Sequence, residues 1–452
     1  VQNVQPGSAS LVFHAHDALD FDVEWRAPQH DPSWRPARMK RHALSARLAD
    51  SGQEISTVTA RLEGLPAGAL IQCRASAHGV SMGGPWTVRI PAPNSLDGEV
   101  LVVGDTGHVC WEQQAVLRQM MAVPDPELVV HTGDLAYPVA NPDSLREHYF
   151  DPYAPLMSSV PFYPVLGNHD TPADQGAAVI AMHDLPEARG VLAEHEGRYY
   201  SLVRGPVHFI FLDSNEPLWE PAETNHMLRW VRSELENSRS FWRVVVIHHT
   251  PYPAGRHKND YGSSLVRENL MPILQEFEVP LLLAGHEHLY KRTAAPARGS
   301  RGTLVVTTGG GGGGLYPAEL TEPNVFARSI HHFVRIRFQG ASLSLQAVDL
   351  YGETIDQALL APPPAIRSFS WRPGESFQIH GAHLGLPRHR FATDLELNGH
   401  HFKVARVTPT AIEVPWPQTV PPLGDLRLRT PNGEQTVPIP PDYPWQEAGP
   451  SV

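Results

Sequence analysis

Five times between residues 96 and 358 an apolar run stops at Asp, Asn or His: VVGDTGH (102–108), LVVHTGDLAY (128–137), FYPVLGNHD (162–170), RVVVIHH (243–249) and LLLAGHEH (281–288). Near-continuous apolar strands belong to sheets covered on both faces. The intervening segments 111–121, 223–237 and 264–277 carry apolar residues near a 3.6 period and read as helices. Turn chemistry explains one aspartate between glycines; it does not explain five loops that all supply N or O donors. In open α/β sheets the C-terminal strand edge is where loops converge on one crevice. Glycines 104, 133, 167 and 285 precede four of these donors and are expected to turn the backbone sharply there.

The flanks have a different pattern. Residues 1–95 alternate apolar and polar in short bursts, as in SLVFHAH, FDVEW and STVTARLEGL, which is the pattern of a β-sandwich. Residues 362–452 open with Pro-Pro-Pro and return to β-type signals, with Asn-Gly pairs at 398–399 and 432–433 as hairpin turns. The expected fold is therefore α/β: a central domain (96–358) of mixed sheets flanked by helices, with an all-β domain on each side.

Composition excludes several function classes. A formal charge of −12 without a basic run argues against nucleic acid as a partner, because phosphate-backbone affinity comes from Lys and Arg. No uninterrupted apolar stretch reaches the ~20 residues of a membrane helix. Residues 1–10 have neither the basic start nor the apolar stretch of a signal peptide, so the expectation is the mature form of a secreted or periplasmic protein. The scarcity of Lys, four of 36 basic residues, fits a GC-rich bacterial genome. Cys73 and Cys110 are the only cysteines, which excludes a disulfide framework.

Imidazoles mixed with carboxylates suit Fe, Zn and Mn, whereas an all-oxygen set would suit Ca or Mg. A carboxylate such as Asp134 has two oxygens and can bridge two ions. The ordered set GDTG (104–107), GDLAY (133–137), GNHD (167–170), VVIH (245–248) and GHEH (285–288) resembles the signature blocks of the purple acid phosphatases, within the calcineurin-like metallophosphoesterases. The resemblance covers residues 1 to about 358. LEGLPAGALIQCRASA (62–77) resembles a fibronectin type III domain, and PGESFQIHGAHLG (373–385) resembles an IPT/TIG module.

The resemblance implies a dinuclear centre. Asp105, Tyr137 and His288 would bind Fe(III); Asn168, His248 and His286 would bind a divalent Fe, Zn or Mn ion, with Asp134 bridging. Tyr137 and Gly107 distinguish this pattern from the Asp-x-His block of most other metallophosphoesterases. His169 is the expected general acid with Asp170 as its orienting partner, His257 and His108 are expected at the substrate, and Asn168 and His169 would also contact it. His249 is expected beside the ligands, not among them. The glycine run 309–314 lacks the Gly-Lys-Ser/Thr ending of a phosphate loop and is expected to pass close to the metals. The implied activity is hydrolysis of a small phosphomonoester by a metal-bound hydroxide. Phosphodiesterase, phospholipase C or nuclease activity on the same centre is the alternative, and a non-catalytic adhesion protein is the third.

Overall fold

The computed structural model describes residues 1–16, 19–47, 54–92, 95, 97–215, 225–238, 240, 242–294, 302–339, 342–360, 365–372, 376–382, 384, 393–397, 400–408, 410–415, 425–430 and 433–438. One compact unit comprises Val1–Ala294, Thr303–Arg337 and Leu345–Gln357; the other comprises Ala295–Gly302, Phe338–Ser344 and Ala358–Val452. The change of pattern at residue 95 is thus not a boundary between the units. Hydrogen bonds tie the N-terminal strands to the α/β part: Val4 N–H donates to the Tyr163 hydroxyl (3.0 Å), Arg204 to the Val4 carbonyl (2.8 Å) and the Thr57 hydroxyl to the Ala181 carbonyl (2.8 Å).

The N-terminal strands form two four-stranded sheets, in the orders Gln2–Gln5, Ser8–His16, Glu54–Glu63, Arg38–Arg47 and Asp31–Pro36, Asp22–Ala27, Leu70–Ala77, Val80–Arg89. Their inward residues, including Leu11, Val58 and Leu62 from one sheet and Val23, Trp25 and Ile71 from the other, share one core.

Two mixed sheets carry the donor loops. One runs Phe162–Pro164, Leu128–His131, Asp97–Val103, His332–Gln339, Ser342–Asp349, Thr354–Leu360, with its first three strands parallel. The other runs Tyr200–Arg204, Val207–Phe211, Trp242–Val246, Leu281–Ala284, Leu304–Thr308, Tyr290–Thr293, Asn324–Arg328, and its second to fifth strands are parallel. Side chains alternate across a strand. Leu101, Val103 and Val129 therefore meet the helix Trp111–Met121, while Val100, Val102 and Val130 are equally buried on the opposite face. In the second sheet Ile210, Leu212 and Val245 pack on the helix His226–Asn237. The expected third helix begins earlier than its periodicity suggests, at Tyr261, and runs to Glu276 through a π-helical turn at Val266–Leu270. Pro272, which has no N–H to donate, follows that turn.

In the other unit, strands Ala365–Arg372, Ser376–Ala382, Ala411–Pro415, Arg406–Val407 and His400–Phe402, Asp394–Leu397, Asp425–Thr430, Gly433–Pro438 form two antiparallel sheets around Phe377, Ile379, Leu395, Ile412 and Leu428. Asn398, Gly399 and Asn432 lie outside the described residues; Leu397 pairs with His400, whereas Gly433 pairs with Thr430 as the first residue of a strand and so is not the turn residue expected at 432–433.

Candidate metal centre

Each proposed donor follows a parallel strand, and the loops interlock through backbone hydrogen bonds. Asp105 N–H donates to the Gly133 carbonyl (3.0 Å), Tyr137 N–H to Gly107 (3.0 Å) and Gly285 N–H to His248 (2.9 Å). The glycines act differently from the sequence expectation. Of the four, only Gly133 has positive φ (94°); the sharp turn lies at the donors Asp105, Asp134 and His286, with φ of 57°, 55° and 71°. Such backbone costs a side-chain-bearing residue about 1–2 kcal/mol. The glycines make room instead: a Cβ on Gly104 would lie 1.9 Å from Thr132 Oγ1, on Gly167 2.2 Å from Asp134 Oδ1, and on Gly285 2.6 Å from Asp105 Oδ2.

Two donor groups result. In the first, the Tyr137 hydroxyl lies 3.3 Å from Asp105 Oδ1, 3.0 Å from Asp134 Oδ2 and 3.0 Å from His288 Nε2. In the second, Asn168 Oδ1 lies 3.0 Å from His248 Nε2 and 2.9 Å from His286 Nδ1. Asp134 reaches both, with Oδ1 3.5 Å from His248 Nε2. All seven sequence-assigned ligands are therefore brought together, with Asp134 in the shared position.

The electrostatics fit cations here. Burial and the neighbouring Asp134 push Asp105 far above the ordinary carboxylate range. Burial also raises Asp134, but His248, His169 and His286 outweigh it and hold the group below its usual value. Burial, then Asp134 and Asp105, raise the Tyr137 phenol well above 10.0. Buried carboxylates this close need a positive partner. Burial lowers His248 and His288 to about 4, keeping their rings neutral and able to ligate. Their tautomers are set from behind: Nδ1–H of His248 donates to the Thr132 carbonyl (2.8 Å) and Nδ1–H of His288 to that of Gly314 (2.8 Å), which leaves each Nε2 lone pair facing the centre. The glycine run does pass here. Gly313 N–H donates to the Asp105 carbonyl (2.8 Å), and a Cβ on Gly313 would lie 2.6 Å from the His288 ring.

The remaining candidates divide. His169 borders the centre, its backbone N–H bonded to Asp134 Oδ1 (2.8 Å) and its Nδ1 to the Pro138 carbonyl (2.6 Å). Asp170 has partners other than the expected one: its carboxylate accepts the backbone N–H groups of Asp134, Leu135 and Gly167 at 2.8–2.9 Å. It clamps loops, and the Pro138 carbonyl orients His169. His257 packs against His286 with ring centroids 4.2 Å apart, and burial lowers it to about 4. The exposed His108 stacks on Tyr137 at 4.6 Å. His249 Nδ1 pairs with the Ser214 hydroxyl (2.9 Å), away from Asn168.

Sequence reasoning missed six contributors. Glu287, between two ligand histidines, forms a buried ion pair with Lys291 and accepts the Ala254 N–H (2.8 Å), while Lys291 donates to the Tyr252 carbonyl (2.7 Å). The pair pins the loop that carries His257. Tyr316 stacks on His288 at 4.4 Å, and Arg256 lies over the Tyr316 ring, 5.1 Å from the centroid. Asp260 and Ser214 sit behind the second donor group. Only the i, i+4 spacing of Glu287 and Lys291 was readable in advance, and it looks the same on a solvated helix.

The donor strands and loops coincide with a match to the calcineurin-like phosphoesterase family model over residues 98–290. This segment is thus similar to calcineurin-like phosphoesterase domains. The chain is 30% identical over 224 residues to purple acid phosphatase 3 of Arabidopsis thaliana, which spans 44% of this chain and 60% of that protein. It is 28% identical over 231 residues to purple acid phosphatase 7 of the same plant, 44% of this chain and 67% of the relative. The chain thus matches little more than half of the first relative's length. Among solved structures, purple acid phosphatase PPD1 from yellow lupin (Lupinus luteus) superposes with a TM-score of 0.67 at 17% identity, over 80% of this chain and 73% of that one, a likeness of fold. The family match and these homologues point to a dinuclear metal site of the phosphoesterase type at these donors.

Proposed function

We propose that the chain hydrolyses small phosphomonoesters at this dinuclear centre, with Fe(III) held by Asp105, Tyr137 and His288, a divalent Fe, Zn or Mn ion held by Asn168, His248 and His286, and Asp134 shared. The observation carrying this reading is the Tyr137 hydroxyl, within 3.0–3.3 Å of Asp134, His288 and Asp105. A phenolate is a hard anionic donor suited to a trivalent ion.

When bound, the two cations supply Lewis-acid polarisation of the phosphoryl oxygens and activation of water. The side chains then divide the remaining work. A carbonyl can only accept, so the Pro138 oxygen keeps a proton on His169 Nδ1, and it is the doubly protonated ring that carries a second proton, on Nε2, to give to the leaving oxygen. His108 and His257 flank the centre and contact the ester.

Arg256 favours a second reading, a phosphodiesterase, because its guanidinium stands at the edge of the centre over Tyr316, where it could meet a second substituent. The deciding experiment compares kcat/KM of the metal-loaded chain on an aryl phosphate monoester and the matching bis-aryl diester. Preference for the monoester supports the first reading; turnover confined to the diester replaces it.

A further inference from the structure

Of the three histidines facing the two donor groups through ring nitrogens, two are fixed from behind by backbone carbonyls, and His286 is not. Its Nδ1 faces Asn168 Oδ1 at 2.9 Å, so its outward nitrogen is Nε2. That atom is buried and, among the described residues, has no hydrogen-bond partner; Asp260 Oδ1 is 3.7 Å away. His286 itself is 6% exposed. His249, Asp260 and His286 each bring one ligand-type atom within 4.8 Å of the others, which could mean either a third cation site or a carboxylate that collects N–H groups.

The hydrogen bonds of Ser214 decide between them. Its hydroxyl oxygen accepts the backbone N–H of His248 (3.2 Å) and of His249 (2.9 Å), which occupies both lone pairs. Its own hydrogen is then left for His249 Nδ1 at 2.9 Å. An acceptor Nδ1 places the proton of neutral His249 on Nε2, so neither ring nitrogen has a free lone pair for a cation.

We propose that Asp260 is a positioning residue for the second metal site: its carboxylate, 3.7 Å from His286 Nε2, attracts a proton to that nitrogen and so favours the tautomer of His286 whose Nδ1 lone pair points at the metal. The inference rests on the dinuclear reading above. Partners of this kind typically change metal affinity by 10–100-fold.

Asp260 also caps the helix Tyr261–Leu265 by accepting the Ser263 N–H through Oδ2 (2.7 Å), and the test must separate the two roles. Asn caps a helix as well as Asp does. Asp260→Asn therefore keeps the cap but has one acceptor oxygen where two are needed, whereas Asp260→Glu keeps a carboxylate for His286 and weakens the cap. The full chain, stripped of metal, is titrated with Co2+ against a chromophoric chelator. Two binding steps are expected for the wild type. Asp260→Asn should weaken one of them 10–100-fold and leave the other, and Asp260→Glu should weaken it less. Wild-type affinity in Asp260→Asn, or the reverse order of the two variants, overturns the positioning role and leaves the dinuclear reading standing. A third equivalent bound by the wild type and lost in His249→Ala overturns it in favour of a cation site. A wild type that binds no Co2+ overturns both readings.

Discussion

Asp170 accepts the backbone N–H of Asp134 at 2.8 Å, so the carboxylate placed between the two donor groups has its left-handed backbone held by a second carboxylate that never faces the centre. The same oxygen receives Gly167 N–H, and the other receives Leu135 N–H, so two donor loops hang on one side chain. Asp170→Asn turns one acceptor into a donor opposite a buried N–H. Each unsatisfied buried donor costs about 1–3 kcal/mol. The expected result is a lower midpoint in urea unfolding together with reduced metal content. Unchanged stability with turnover alone reduced would return Asp170 to the role of orienting His169.

Asp134 and His169 should separate in metal content. Asp134→Asn is expected to lose both metals or their magnetic coupling, because a shared carboxylate serves two cations. His169→Ala is expected to keep them and to lose turnover by about 10²- to 10⁴-fold, the usual contribution of a general acid. Elemental analysis beside kcat reads both. Equal metal loss in the two variants would end the division of roles.

The ion pair of Glu287 and Lys291 predicts a stability effect at a position flanked by ligands. Both side chains are 1% exposed, and Glu287→Gln leaves the ammonium without its counter-charge. Breaking a buried pair in this way costs about 3–5 kcal/mol. Urea denaturation should show that loss, and KM should rise as the His257 loop is released. A variant as stable as the wild type would mean that the pair holds nothing in place.

How much of this was legible in the sequence depends on whether a residue's role is local. The donors were readable because apolar runs ending in Asp, Asn or His mark strand ends at a crevice, whatever the tertiary detail. Asp170 was misassigned because adjacency to His169 in the chain suggested a contact. On the folded loop its carboxylate turns back to amides of a strand end more than thirty residues earlier. Ser214, Asp260 and Tyr316 left no sign, since each acts through a partner brought by another loop, and nothing in the local pattern distinguishes them from ordinary loop residues. The N-terminal strands read correctly as β, while their union with the α/β part depends on long-range bonds such as Val4 to Tyr163.

Buried histidines that are not among the proposed ligands set an acid limit. His131 is lowered by burial from 6.5 to about 3, and His183 and His332 to about 4. A base whose folded pKa is depressed stays neutral in the native chain while the unfolded chain takes up its proton. Stability contributed by these groups is therefore full above about 6.5 and is lost as pH falls toward 4, at about 1.4 kcal/mol per pH unit for each ring. The metal-free chain should show a falling unfolding midpoint across that window, and His183→Gln should flatten the slope. A midpoint that is flat from pH 7 to 4 would contradict the burial of these rings.

Tyr137 carries the most specific expectation. In the metal-free chain its phenol is held protonated, first by burial and then by the carboxylates of Asp134 and Asp105, so it should not titrate near pH 10 while the chain remains folded. A trivalent ion in the first donor group reverses that balance, because the cation neutralises the carboxylates that disfavour the phenolate and takes the phenolate as a ligand. The oxidised, iron-loaded chain should then absorb visible light through phenolate-to-iron charge transfer. Tyr137→Phe removes the oxygen but keeps the ring that stacks under His108. It should abolish the band while the second site still takes up a divalent ion. A fully metallated, oxidised wild type that stays colourless would remove iron from the first site and move the reading toward a dinuclear phosphodiesterase with divalent ions in both positions.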